Sequence, residues 1–324
     1  MPDPVDTRAL WITGPRRSEI MPVRYALAAE QYDIKTLYTG ISRGTERLVF
    51  EGRVPEREHA NMRAPLQEGE FSFPVKYGYS AVGRVLGSDA EEGRIVFALH
   101  PHQVRFPCPE AMAVPVPEGV PPARAILGAN METALNIVWD AHVQPGDRVA
   151  VVGAGTVGAL VGYLAARIPG TEVCLVDLDS RRGALASALG CDFALPTAAR
   201  AEADVVVHAS ASDAGLETAL ALAGLEAPII EASWYGTARS TVSLGDVFHQ
   251  RRLRLVSSQV GRIPADHAAR WTHRRRLEMA LRLLVDPALD ALISGESHFD
   301  DLPRDYAEIL SSAETLCHRV RYDD

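Results

Sequence analysis

Cysteine is scarce in this chain of 324 residues, and its four cysteines are scattered. They form no CxxC pair and no His–Cys spacing of the kind that structural zinc sites use. The sequence therefore predicts neither a disulfide framework nor a structural zinc site, and a reducing cytoplasm is the expected compartment. The cysteines are Cys108, Cys174, Cys191 and Cys317.

Long apolar runs and an excess of positive charge are also absent. The sequence has no run of about 18 apolar residues and no cationic-then-apolar leader after Met1, so we expect neither a membrane span nor secretion. The formal net charge of -9 argues against a nucleic-acid partner. Lys35 and Lys76 are the only lysines, so arginine carries nearly all of the positive charge. The length is comfortable for two domains.

The stretch 147–177 has the residue order of a dinucleotide-binding βαβ unit. A short apolar run at 149–152 leads into the glycine-rich turn GAGTVG at 153–158. An apolar helical pattern leaves that turn, and a second apolar run ends at Asp177. The strand, the helix and the acid agree with one another, so the pattern is much more specific than a glycine motif alone.

Each residue type in the turn has a physical role. Gly153 permits a sharp turn, Gly155 lets the backbone approach a pyrophosphate, and Gly158 lets the helix pack closely on the sheet. The helix that starts with Thr156 and Val157 offers free N–H groups and a partial positive charge to the phosphates. These residues are the predicted cofactor-binding turn.

The choice of cofactor depends on Asp177 and the residues after it. A carboxylate at a strand end binds the hydroxyls of the adenosine ribose and repels a 2′-phosphate, which favours NAD. Arg181 and Arg182 lie close enough in the sequence to leave NADP as the alternative. NAD is the cofactor that we expect.

The first third of the chain is β-rich and interrupted by glycine, as in a small barrel. A turn is expected at 41–46, and the polar segment 51–74 is predicted to be a long surface loop or lid. Strands are predicted at 7–13, 19–27, 33–40, 77–85 and 93–100.

From Pro121 onwards, strand and helix patterns alternate, which predicts a doubly wound parallel sheet of six strands that ends near Val260. Two further helices are expected in the tail, at 271–284 and 306–312. In addition to the unit already described, helices are predicted at 123–143, 180–189 and 213–224, and strands at 204–208, 228–234 and 253–260.

These features resemble the medium-chain dehydrogenase/reductase superfamily over nearly the whole chain. The resemblance implies an α/β protein with a GroES-like β-rich catalytic domain and a doubly wound Rossmann sheet. It implies that residues 1–120 and 262–324 form the catalytic domain and that residues 121–261 form the NAD-binding domain. The active site would then lie in the cleft between the two domains.

The sequence departs from the zinc-dependent members of that superfamily at the metal ligands. The first motif reads GISRGTE at 40–46, with Ser42 or Arg43 where those members have cysteine. Tyr79 replaces the histidine of the second motif, and Glu132 is the one candidate oxygen ligand in the third region. A catalytic zinc needs three protein ligands. We therefore expect no zinc.

The motifs at 40–46 and 78–83 are similar to those of bacteriochlorophyllide hydroxyethyl dehydrogenases and of threonine-dehydrogenase-like relatives. Without a metal, the charge that develops on a substrate oxygen must be met by a hydrogen-bond donor or a proton. Tyr79 either supplies that donor or fills the vacated metal volume as packing. Thr45 matches the proton-relay hydroxyl of the superfamily or caps a turn. Ser42 belongs to the same vacated site.

Several polar residues near these motifs have two interpretations. Arg43 is a candidate contact for the cofactor pyrophosphate, and Glu46 is expected to pair with Arg43. The resemblance also matches Arg182 to a basic residue that NAD-dependent relatives use beside the adenosine ribose. His100 and His102 are either an acid or substrate contact or a feature of a loop. The basic run at 273–276 either holds an acidic substrate or forms a solvated helix face, and the solvated face is the default.

The sequence as a whole predicts an NAD-dependent, zinc-independent oxidoreductase of small alcohols or polyols. The alternatives are an NADPH-dependent reductase of enones or quinones and a protein that binds the dinucleotide without turnover. A small-molecule substrate is the expected partner, with no nucleic acid and no membrane. A homodimer is expected through the apolar strand 253–260.

Overall fold

The structure is a computed structural model that describes residues 3–87 and 91–323. These residues divide into two compact units. Unit 1 is Met1–Ala129 with Arg274–Asp324, and unit 2 is Asn130–His273. The sequence analysis expected a discontinuous arrangement with boundaries near 120 and 262.

Local packing accounts for the position of both boundaries. Arg124 donates to the two carboxylate oxygens of Asp290 at 2.7 and 2.6 Å, which fixes its segment in unit 1. Within unit 2, Trp139 stacks on His267 with ring centroids 4.4 Å apart. The segment 262–273 therefore stays with the nucleotide-binding sheet.

The amino-terminal part of unit 1 is β-rich, as the sequence predicted. The strands β1, β2, β5 and β4 form one antiparallel sheet in the order β2-β1-β5-β4. The strands are β1 (Val5–Gly14), β2 (Arg17–Tyr25), β3 (Gln31–Ser42), β4 (Glu68–Gly69), β5 (Val75–Lys76), β6 (Ala81–Leu86), β7 (Ile95–Ala98), β8 (Arg105–Pro109) and β9 (Val114–Pro115), and the helices are α1 (Arg43–Phe50) and α2 (Pro122–Ala125).

Two local predictions in this part were wrong. The expected turn at 41–46 is the end of β3 followed by α1, because Leu48, Val49 and Phe50 bury one face of that helix. The expected strand 77–85 is interrupted between β5 and β6, where Gly78 has φ 129°. Tyr79 therefore lies in the irregular segment between the two strands rather than in a strand.

Unit 2 contains the predicted doubly wound parallel sheet, and this fold class is confirmed. Its strand order is β12-β11-β10-β13-β14-β15, with every neighbouring pair parallel. The sequence analysis missed β12, which has only three residues. The elements are α3 (Gly128–Ala141), β10 (Arg148–Val152), α4 (Thr156–Ala165), β11 (Glu172–Val176), α5 (Arg182–Leu189), β12 (Asp192–Ala194), β13 (Val205–His208), α6 (Asp213–Leu222), β14 (Pro228–Glu231), β15 (Arg254–Ser257) and α7 (Ala265–Ala268).

The carboxy-terminal return completes unit 1. Its strands join β3 in a sheet with the order β16-β17-β3-β6-β7-β9, and β8 also pairs with β3. None of the helices within 3–87 and 91–323 combines the length and apolar character that a membrane crossing needs. The elements of the return are α8 (His273–Leu283), β16 (Ile293–His298), α9 (Leu302–Ser311) and β17 (Cys317–Arg321).

The basic run at the start of α8 is not a uniformly solvated face. Arg276 is 1% exposed, and Arg274 donates to the backbone carbonyl oxygens of Ala111 and Ala113. The default interpretation of this run was therefore wrong for Arg276, since a buried guanidinium belongs to the packing of the helix.

Candidate active site

The glycine turn in unit 2 has the geometry that a dinucleotide requires. Gly153 has φ 105°, which lets the chain leave β10 sharply. A Cβ on Gly158 would lie 1.9 Å from the Gly153 carbonyl oxygen, so only glycine permits this approach. A Cβ on Gly155 would meet nothing within 4 Å. The open side of the turn is therefore at Gly155, where the backbone can approach a pyrophosphate.

Asp177 is joined to this turn by hydrogen bonds. Its Oδ2 accepts from the Ala154 amide at 2.7 Å, and its Oδ1 accepts from the Asp179 amide at 2.9 Å. A carboxylate has further lone pairs beyond these two bonds, and Asp177 is partly exposed. The residues in unit 2 thus fit the ribose and pyrophosphate of a dinucleotide.

The side chains around Asp177 are less directly placed for a cofactor. Thr156 and Val157 are partly exposed at the start of α4, as the sequence predicted for that turn. Arg181 donates to both carboxylate oxygens of Asp179. Arg182 lies 3.9 Å from the same carboxylate, and only 13% of its side chain is exposed. Asp179 therefore partly neutralises the two arginines that left NADP as an alternative.

In unit 1, three of the predicted site residues come together. Tyr79 forms hydrogen bonds with the side chains of Ser42 and Thr45. Burial and the charge of Glu46 raise the pKa of Tyr79 to about 12, although the two hydroxyl hydrogen bonds act in the opposite direction. The phenol thus holds its proton at neutral pH and can act as a hydrogen-bond donor.

Glu46 lies behind this cluster with no exposed surface. Its Oε1 accepts from the Ser42 amide at 2.7 Å, and its Oε2 accepts from Tyr306 Oη at 2.6 Å. His102 Nε2 is 3.0 Å from the same Oε2. The sequence analysis favoured a pairing of Glu46 with Arg43, but the carboxylate instead lies against these three groups.

The hydrogen bonds continue beyond His102 into the interior of unit 1. His102 Nδ1 is 2.6 Å from Thr39 Oγ1, which is 3.1 Å from Tyr322 Oη. One tautomer satisfies both ring nitrogens, with Nε2–H donating to Glu46 and Nδ1 accepting from Thr39. A buried row of four side chains thus ends at the carboxylate beside Tyr79, and the sequence analysis did not identify Thr39, Tyr306 or Tyr322.

His100 and Arg43 lie in surroundings that differ from those expected. His100 is buried and stacks on Phe106, with ring centroids 3.7 Å apart. The distance from His100 Nδ1 to the Pro101 carbonyl oxygen is 2.9 Å. Burial lowers the pKa of His100 well below its usual value. His100 is therefore a neutral packing residue rather than an acid. Arg43 donates to the Ser312 carbonyl oxygen at 3.1 Å.

The side chains at the vacated ligand positions of unit 1 do not fit zinc. Ser42 and Tyr79 present neutral hydroxyl groups, whereas catalytic zinc binds thiolate, imidazole or carboxylate ligands. Burial raises the pKa of Cys317 to about 12, so this nearby thiol is protonated. In the described part of the chain, no three His, Cys, Asp or Glu side chains group closely enough to hold a metal ion.

Comparison with curated proteins finds dehydrogenases of sugar derivatives. The chain is 26% identical over 209 residues to D-guloside 3-dehydrogenase of Escherichia coli (strain K12). The match spans 60% of this chain and 60% of the length of that relative. A relative of the same name from Shigella flexneri matches equally. No protein-family model matches the chain.

Comparison with solved structures covers nearly the whole chain. L-idonate 5-dehydrogenase from Escherichia coli str. K-12 substr. MG1655 superposes with a TM-score of 0.80 at 14% identity, over 98% of this chain and 99% of that one. A dehydrogenase from Sinorhizobium meliloti 1021 bound to NADP gives 0.77 at 17% identity, with the same coverage. A short chain alcohol dehydrogenase from E. coli CFT073 complexed with NADH gives 0.76 at 15% identity over 98% and 99% of the two chains. The chain therefore has the fold of these solved dehydrogenase structures.

Proposed function

We propose that the protein is an NAD-dependent, zinc-independent oxidoreductase that transfers a hydride between the nicotinamide and a small alcohol or carbonyl substrate. The observation that carries this proposal is the cluster of Tyr79, Ser42 and Thr45 in unit 1, placed over the buried carboxylate of Glu46. By the resemblance, Ser42 and Tyr79 stand where zinc-dependent members of the superfamily have metal ligands, and Thr45 matches their proton-relay hydroxyl. The proposal assigns to them the stabilisation of charge that the metal would otherwise provide.

In this proposal the bound nicotinamide supplies or accepts the hydride. When a carbonyl is reduced, negative charge develops on its oxygen, and Tyr79 Oη donates a proton or a hydrogen bond to that oxygen. Ser42 and Thr45 orient the phenol through their hydrogen bonds. Glu46 keeps the phenol protonated, because its negative charge opposes ionisation of Tyr79.

The preference for NAD is supported by Asp177, whose carboxylate lies at the end of β11 and is bound to the Ala154 amide of the turn. We expect Asp177→Ser to weaken the binding of NADH and to reduce the ratio of NADH affinity to NADPH affinity. Asp192→Asn, at an exposed carboxylate of β12, is the control. Fluorescence titration with both cofactors measures the effect, and tighter binding of NADPH than NADH by the unaltered protein would contradict the proposal.

The substrate class is supported by the name of the curated relative, a dehydrogenase of a guloside. We propose polyols, sugar derivatives and small secondary alcohols as substrates. The purified protein is tested with NAD and a panel of these compounds, and formation of NADH is followed. Turnover confined to NADPH with activated alkenes or quinones would assign the reductase alternative. Cofactor binding with no turnover on either panel would assign a binding protein.

Zinc independence has its own test. The side chains of Ser42 and Tyr79 support it, since neutral hydroxyls are poor zinc ligands. We expect turnover to survive dialysis against a chelator, and elemental analysis to find far less than one zinc per chain. One stoichiometric zinc, with activity lost on chelation and restored by zinc, would overturn this part of the proposal.

A further inference from the structure

Three side chains at the carboxyl ends of β13 and β14 form a continuous hydrogen-bonded row within unit 2. His208 is the last residue of β13, and its Nδ1 is 2.7 Å from Oε2 of Glu231, the last residue of β14. Its Nε2 is 2.7 Å from Oγ of Ser210, which follows β13. One tautomer satisfies both contacts: Nδ1–H donates to Glu231, and Nε2 accepts from the Ser210 hydroxyl.

We propose that Ser210, His208 and Glu231 form a nucleophile, base and acid triad, a second reactive site that takes acyl groups from activated esters. The arrangement has the order and the contacts that activate serine hydroxyls, with the base between the hydroxyl and an orienting carboxylate. None of the three residues takes part in the proposed hydride transfer. The site is independent of the oxidoreductase proposal, because its reaction needs no nicotinamide.

The exposure of the three side chains suits these roles. Ser210 is exposed and therefore accessible to an acyl donor. The His208 side chain has no exposed surface, and that of Glu231 is 16% exposed. Water thus competes little for the imidazole, whose polar atoms are directed to the serine and the carboxylate.

Glu231 is fixed and charged by further contacts. Its Oε1 accepts from the Ser233 amide at 2.8 Å, and its Oε2 accepts from Tyr235 Oη at 3.2 Å. Burial would raise the pKa of Glu231, but its contact with His208, together with the bonds from Ser233, outweighs that effect and lowers the pKa. The carboxylate is therefore held against His208 Nδ1.

The turn that carries Ser210 leaves room for this geometry. A Cβ on Gly215 would lie 2.0 Å from Ser210 Oγ and 2.8 Å from His208 Nε2, so the row requires glycine at that position of α6. Ala211 has φ 52°, which turns the chain from β13 towards α6. A serine on a sharp turn between a strand and a helix is the placement that many hydrolases use.

Ser212 supports the hydroxyl of Ser210 from the other side. Its Oγ accepts from the Gly215 amide at 3.1 Å and lies 2.9 Å from Ser210 Oγ. Because the proton of Ser210 is directed to His208, the Ser212 hydroxyl donates to Ser210 Oγ. This contact supports negative charge on Ser210 Oγ as its proton leaves.

The reaction balances with an ester and water. Ser210 Oγ attacks the acyl carbon while its proton passes to His208 Nε2, and the ester C–O bond breaks as the leaving alcohol takes that proton. Water then attacks the acyl-serine, gives its proton through His208 to Ser210 Oγ, and releases the carboxylic acid. No oxidant, metal or cofactor is consumed.

A fluorophosphonate probe tests the proposal directly, because it forms a covalent bond only with activated serines. We expect the unaltered protein to gain the mass of one probe, mapped to Ser210 by peptide analysis. Ser210→Ala removes the label. His208→Asn and Glu231→Gln slow labelling on the order of a hundredfold, as loss of a general base or of its orienting acid does.

The matched control is Ser187→Ala, which removes the hydroxyl of an exposed serine on α5 of the same unit. This variant is expected to label at Ser210 at a rate close to that of the unaltered protein. Circular dichroism and thermal melts confirm that each variant is folded, and p-nitrophenyl acetate hydrolysis repeats the comparison without the probe.

Three results would overturn the proposal. The first is labelling of the unaltered protein no faster than that of Ser210→Ala, and the second is a label mapped to Ser212 instead of Ser210. The third is a pair of results: the unaltered protein takes up no probe, and Ser210→Ala binds NADH more weakly than the unaltered protein does. That result would assign the serine to cofactor binding, since the Gly153 Cβ position lies 2.8 Å from the Ser210 amide nitrogen.

Discussion

Glu46 explains how Tyr79 keeps its proton within the cluster with Ser42 and Thr45. A carboxylate with no exposed surface is stable only when donors replace its water, and here the Ser42 amide, Tyr306 and His102 do so. The charge that they stabilise raises the pKa of Tyr79. The function proposed for Tyr79 therefore depends on residues that do not themselves touch the substrate.

The buried carboxylate gives a first prediction. Glu46→Gln should lower the free energy of unfolding by about 1–3 kcal/mol, because an amide cannot accept from all of the donors that now face Glu46. Denaturant titration measures the loss. Glu118→Gln, at an exposed glutamate, is the control and should change stability little. Equal stability of the two variants would mean that the donors at Glu46 do not require the carboxylate.

Tyr79 gives a second prediction. Tyr79→Phe should lower kcat for the carbonyl substrate by on the order of a hundredfold or more, because the proton donor is lost while the ring remains. Tyr77→Phe is the control, since Tyr77 is the adjacent tyrosine, with ring centroids 6.1 Å from Tyr79. If Tyr79→Phe turns over as fast as Tyr77→Phe, Tyr79 is packing rather than a donor.

The ionisation of Tyr79 gives a third prediction. Its pKa is raised from 10.0 to about 12, so the native state holds the proton more tightly than the unfolded chain. This tighter proton binding contributes fully to the free energy of unfolding below pH 10, and the contribution is lost as the pH rises through about 12. The difference in unfolding free energy between the unaltered protein and Tyr79→Phe should therefore shrink over that interval. A difference that is constant with pH would show that the phenol is not perturbed.

Features that neighbouring residues encode could be predicted from the sequence, whereas features that depend on distant residues could not. The glycine turn at 153–158 was identified because strand, turn and helix follow one another directly. The helix α1 was taken for a turn, since Gly44 and Thr45 disfavour a helix interior and only the packing of Leu48, Val49 and Phe50 decides the conformation.

The row behind Tyr79 could not be predicted for a different reason. Tyr306 reaches Glu46 from α9, 260 positions away in the sequence, and Tyr322 reaches Thr39 across 283 positions. Such contacts arise when β17 pairs with β3. The residue pattern of neither strand indicates that the two strands pair.

The glycine turn between β10 and α4 gives a fourth prediction. Gly158→Ala should lower both stability and NADH affinity, because the new Cβ would lie 1.9 Å from the Gly153 carbonyl oxygen. Gly155→Ala should lower NADH affinity with little loss of stability, because its Cβ would point into the open space where we expect the pyrophosphate. Thermal melts and NADH titration separate the two effects. Undiminished NADH binding by both variants would show that this turn does not hold the cofactor.

The two units differ in how the chain builds them. Unit 2 is continuous, and its parallel sheet follows from alternating strands and helices. Unit 1 is assembled from both ends of the chain, and the carboxy-terminal return supplies Tyr306 and Tyr322, which contact Glu46 and Thr39. One segment of sequence is therefore enough to identify the glycine turn. The polar groups around Glu46 in unit 1, by contrast, come from both ends of the chain.

The edge of the parallel sheet gives a last prediction, that two copies of the chain pair through β15. This strand lies at one end of the sheet order, all of its residues are exposed, and Leu255 and Val256 are 41% and 39% exposed. An exposed apolar edge strand favours pairing with another strand. Light scattering should therefore find a dimer that Leu255→Lys converts to a monomer, while Leu225→Lys, at a leucine 71% exposed away from the edge, leaves it intact. A monomeric unaltered protein, or a dimer that survives Leu255→Lys, would mean that β15 is not the interface.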